Sequence, residues 1–168
     1  GESYMNNIHR KMMYLRDPNA PNYNTGEEYL LIYDDIDLTT NHARRWLAKT
    51  VYEPVTLNGG SWSPQGSNLK TSSNTTELSI TNTYGNNNGK MYLKVLSPDN
   101  VTLNLWGSPG SPFLNATGGS MYNGGNINEA ARNFVGTYRL EIEDNTSSNS
   151  SEFLVAMQIG TPGTLPTM

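Results

Sequence analysis

The 168-residue chain is 35% hydrophobic and 10% aromatic, enough apolar material for one domain or two small packed sandwiches. Its net charge of -4 comes without any run of Lys or Arg, so nucleic acid and anionic membrane are set aside as partners. Cysteine is absent, which excludes a disulfide framework and a thiolate metal site, and the apolar runs are too short for a bilayer-spanning helix.

Short alternating runs punctuated by Gly, Pro and Asn recur from end to end, and no window carries a sustained helical period. The pattern predicts strands at 11–16, 28–37, 45–53, 77–83, 90–96, 101–106, 137–143 and 152–159. The segment INEAARN at 127–133 is the one helix-like piece. Between the strands lie DPNAPNYNTG, NGGSWSPQGSN, YGNNNG and GSPGSPF, where Gly and Asn accept positive φ and Pro fixes it; NNNG at 86–89 is the best hairpin connection. The expected fold is all-β, an antiparallel β-sandwich with at most one short helix. Residues 1–168 form a single module, with 1–83 and 84–168 as two candidate layers.

In the strand YLLIYDDIDL, alternation puts Asp34 in one row with Leu30, Ile32, Ile36 and Leu38. In RRWLAKTVYE the same rule puts Lys49 in a row with Leu47 and Val51. A carboxylate and an ammonium in apolar rows are costly alone and offset one another as a pair, so an Asp34–Lys49 ion pair between adjacent strands is expected. The pleat sends Asp34 and Asp35 to opposite faces, which argues against a paired-carboxylate acid/base site. Asp35 and Asp37 share a face and read as solvated strand residues.

Other candidates are weighed against plainer readings. His9 and His42 lack a partner at ligand spacing, no Gly-x-Ser-x-Gly elbow occurs, and no calcium-loop spacing accompanies DDID or DNTSS. Neither a metal nor a cofactor is expected. Trp46 reads as packing, whereas Trp62, inside the loop NGGSWSPQG, is the better candidate to stack on a sugar ring. Arg44 and Arg45 suit an acidic polymer through bidentate contacts, although strand-end arginines more often pair with Asp or Glu.

With 22 Asn, 15 Ser and 17 Thr, the surface is polar without being highly charged, a composition typical of exported β proteins. Sequons stand at Asn74, Asn100, Asn115, Asn145 and Asn149 as N-glycosylation candidates, a number close to chance for this composition. The start at Gly1, with neither an initiator Met nor a signal-type apolar region, reads as a processed product or an excised fragment.

Four blocks follow one another: YLLIYDDID, RRWLAKTVYEP, GKMYLKVLSPDNVTLNLWGSPG and GTYRLEIEDNTSSNSSEFLVAMQIG. Together they resemble the C-terminal β region of heparinase II/III-like polysaccharide lyases, with patterns of the type vvYDrv, rWLLHt-x-EP, G-lfvk-L-P and GrwrvEv-P-FL-vl. The resemblance implies a β-sandwich that supports an α/α-toroid, in enzymes that cleave acidic polysaccharides by β-elimination. It gives no counterpart of the toroid in this sequence. A His-x-His-x-Asp segment is missing too, the nearest match being Ile8-His9-Arg10. Some members of that family bind a metal in the sandwich through His and Asp. The resemblance matches Asp34 to that Asp but puts Lys49 where the His belongs, and an ammonium has no lone pair for a metal.

The expected function is therefore a non-catalytic, secreted or cell-surface module. It is a structural or self-assembling glycoprotein subunit that contacts copies of itself or other matrix components. The alternative is the C-terminal part of a polysaccharide lyase, supporting the toroid and binding acidic polysaccharide.

Overall fold

The computed structural model describes residues 5–16, 28–82, 89–107 and 137–160. They form an all-β structure of two antiparallel sheets packed face to face, with no helix among the described residues. In chain order the strands are β1 (Met5–Arg16), β2 (Glu28–Leu38), β3 (Arg45–Thr50), β4 (Val55–Thr56), β5 (Ser63–Pro64) and β6 (Leu69–Ser72). There follow β7 (Glu77–Asn82), β8 (Gly89–Ser97), β9 (Val101–Trp106), β10 (Tyr138–Asp144) and β11 (Ser150–Gly160). One sheet runs β1-β2-β11-β8-β7-β4 and the other β3-β10-β9-β6-β5.

Period-two alternation builds the core. In β9 the residues Val101, Leu103 and Leu105 point inward, in β10 Tyr138, Leu140 and Ile142, and in β11 Phe153, Val155 and Met157. Leu103, Leu140, Ile142 and Phe153 are fully buried, each contributing roughly 1.5–3 kcal/mol of apolar transfer. Trp46 is buried among them, as the packing reading expects.

Two expectations need correction. Residues 1–83 and 84–168 are not separate layers, because each sheet takes strands from both halves of the chain. The strand expected over 45–53 ends at Thr50, where the chain turns through Pro54 into the two-residue β4. The helix-like segment at 127–133 and most of the NNNG connection lie outside the described residues. The turn at 57–60 is well defined: Gly60 N–H donates to the Leu57 carbonyl at 3.0 Å, with Asn58 at φ 53° and Gly59 at φ 81°. Two successive positive φ values characterise the tight hairpin turn that Asn-Gly favours.

Candidate functional site

Asp34 lies on the inward row of β2 and is 2% exposed, between Arg10 of β1 and Phe153 of β11 in the register. Its partner is Arg10. The guanidinium Nε donates to Oδ1 and Nη2 to Oδ2, both at 2.6 Å, a bidentate arrangement that satisfies both carboxylate oxygens. The Arg10 side chain stays half exposed, so its charge keeps water contact while it closes off the carboxylate.

The expected Asp34–Lys49 pair does not form, because β2 and β3 belong to different sheets. The inward residues of β3 are Trp46 and Thr50, so Leu47 and Lys49 point outward, opposite to the expected face. On that outer side Lys49 stands opposite Arg139 of β10. Burial and the Arg139 charge lower its pKa, with Glu141 opposing.

These positions do not fit the metal that the family resemblance implies. Arg10 occupies both Asp34 oxygens, the Lys49 position is an ammonium on the other sheet, and no described group of three His, Cys, Asp or Glu converges anywhere.

The three residues suggested for carbohydrate contact are all engaged within the fold. Arg44 is 2% exposed and locked by Asp144 at 3.2 Å, by the Thr146 carbonyl at 2.6 Å and hydroxyl at 3.1 Å, and by the Ser148 carbonyl. Asp144 in turn accepts from Ser151 Oγ at 2.6 Å and from Thr146 N–H at 2.8 Å. Burial pushes the Asp144 pKa up, but the bonds from Ser151 and Thr146 and the Arg44 charge outweigh it and hold the pKa below its ordinary value. Arg45 donates to Glu143 at 2.8 Å on the outer face. Trp62 packs against the core and donates its indole N–H to the Pro54 carbonyl at 2.8 Å, so it is no free stacking platform.

Four sequon asparagines, Asn74, Asn100, Asn145 and Asn149, are exposed; Asn115 lies outside the described residues. Two of them interlock. Asn145 Nδ2 donates to Asn100 Oδ1 at 3.1 Å, and Thr102, the hydroxyl residue of the Asn100 sequon, donates to Asn145 Oδ1 at 3.2 Å. Asn74 accepts from Ser72 Oγ at 2.9 Å.

The feature whose extent and exposure sequence reasoning missed is β1. It is an edge strand of twelve residues, all exposed, and it carries Met5, Ile8, Met12, Met13, Tyr14 and Leu15. These are six of the ten large hydrophobic side chains exposed among the described residues. The other edges are β4 and β5, of two residues each, and β3, of six. Short edges are blunted; β1 is the longest edge strand among the described residues. Its expected start at Lys11 fell six residues late, because MNNIH lacks clean alternation. One signal was available: two cations, Arg10 and Lys11, beside a later strand carrying a buried acid.

No family model matches the chain, and no curated protein matches it.

Proposed function

We propose that the chain is a non-catalytic β-sandwich module, exported and carrying glycans at exposed sequons, that works by self-association through β1. The observation that carries this reading is the concentration of exposed apolar side chains on one long strand at the edge of its sheet among the described residues. Contiguous apolar patches and open strand edges are where β proteins add strands from another chain. Asp34 and Arg10 serve that surface by anchoring β1 to β2 with a charged pair at mid-strand.

Sedimentation velocity from low micromolar to several hundred micromolar tests it. Self-association that rises with concentration and disappears in Met12→Glu is the expected result; Met12 is 67% exposed, so the variant keeps its fold. A strict monomer over the whole range overturns the reading.

A second reading, support of a lyase toroid and binding of acidic glycan, draws on the four-block resemblance. Its blocks fall on β2, on β3 and the turn after it, on β8 to β9 and on β10 to β11, which are strands of both sheets. It predicts salt-sensitive binding to uronate polymers. Binding unaffected by salt, or none at all, removes it.

A further inference from the structure

The turn after β4 brings Asn58 beside the β7–β8 ladder. Glu77 of β7 stands opposite Lys94 of β8 in the register, so their side chains share a face. On the other side of β7, the Leu57 N–H donates to the Glu77 carbonyl at 3.0 Å, which fixes the turn against the same strand.

The Glu77 carboxylate joins two different groups. Its Oε1 accepts from the Lys94 ammonium at 2.8 Å, and its Oε2 accepts from the Asn58 carboxamide Nδ2. All three residues line one cavity of about 70 Å³, which Leu57 and Tyr92 also line. The carboxylate side chain is largely buried, at 13% exposure, whereas the lysine, at 32%, has room to swing. Bonds to one carboxylate leave the two nitrogens a few ångströms apart, a distance that the flexible four-carbon lysine stem spans. These are the parts that an amide exchange needs: an amine nucleophile, a proton acceptor in contact with it, and an acyl carbon held nearby. Glu143 joins Asn104 to Arg45 in the same manner, but a guanidinium stays protonated and is no nucleophile.

We infer that Lys94 and Asn58 form an intramolecular isopeptide bond, with Glu77 as the proton carrier. Glu77 takes a proton from the Lys94 ammonium, and the freed lone pair bonds to Asn58 Cγ. The Cγ–Nδ2 bond then breaks. Nδ2 carries off one further proton of the Lys94 nitrogen and the proton held by Glu77, leaving a secondary amide, an ammonium ion and the restored carboxylate. No oxidant or other co-reactant enters. The bond ties the turn after β4 to β8 across β7, the part that a disulfide plays elsewhere, in a chain without cysteine. No residue of β1 takes part, so failure here and failure of the self-association reading are independent results.

The test is intact mass and tryptic fragmentation of the folded 168-residue chain made in a bacterial host. Expected is the loss of one ammonia, about 17 Da, in most molecules, and a fragment in which the peptides of Asn58 and Lys94 are joined. A succinimide formed by attack of the Gly59 nitrogen has the same mass, so the variants decide. Lys94→Arg keeps a cation beside Glu77 and is expected to retain the full mass. Glu77→Gln is expected to cut the cross-linked fraction at least about tenfold after equal incubation. Full mass in the natural chain, loss of ammonia that persists in Lys94→Arg, or equal cross-linking in Glu77→Gln overturns the inference.

Discussion

At the scale of single residues, Asp34 and Asp144 are buried carboxylates held in different ways. Asp34 has one half-exposed partner, so the cost of breaking the pair depends on which member is removed. Arg10→Ala strands a buried carboxylate and is expected to cost about 2 kcal/mol in urea unfolding. Asp34→Leu frees an arginine that can turn to water and adds apolar surface to an apolar row, so it is expected to be nearly neutral. Equal losses for the two variants would contradict the pairing. Asp144 has four hydrogen-bond donors, a buried arginine among them, so Asp144→Ala is expected to cost about 3 kcal/mol. Because the folded pKa lies below the ordinary value of 3.8, its stabilisation is complete above that value and drains away as pH falls through the folded pKa. The loss of stability on going from about pH 5 to about pH 2 is therefore expected to be smaller in Asp144→Asn than in the natural chain. The burial of Asp34 was legible from alternation alone. Its partner was not, because alternation gives a residue's face and not its neighbouring strand; Lys49 had the right charge on the wrong sheet.

At the scale of elements, eight strands were legible in type, and the match is closest where alternation leaves one face fully buried, as in β9; β1, exposed along its whole length, was caught only in its second half. The short β4, β5 and β6 were not, since two to four residues carry too little pattern to count. What places them is turn chemistry, with Asn58 and Gly59 both at positive φ. Gly59→Val puts a β-branched residue at φ 81° and is expected to cost about 1–2 kcal/mol by thermal melting. Gly107 is held more tightly, at φ 116° with any added Cβ 2.5 Å from the Thr137 carbonyl, so Gly107→Ala is expected to be the more damaging of the two. For β1, a two-fold antiparallel pairing with Lys11 opposite its counterpart sets Ile8 against Tyr14 of the second copy and Arg10 against its Met12. Only the two Lys11 side chains then repel, so association is expected to strengthen, not weaken, as salt rises from about 50 to about 300 mM.

At the scale of the whole molecule, the described strands bury a shared core and leave one long, exposed strand at a sheet edge. The arginines and tryptophan suggested for sugar contact are committed to internal bonds. On the proposed reading, function rests on the exposed apolar side chains of β1. That exposure was not visible in the sequence, because it depends on whether another layer covers the strand. Hydrogen exchange resolved along the chain at low and high protein concentration tests the central claim most directly. Self-association through the edge predicts that the amides of Met5–Arg16 gain protection with concentration while those of β9 and β10 stay unchanged. Exchange in β1 that is indifferent to concentration, or protection gained only elsewhere, would contradict it.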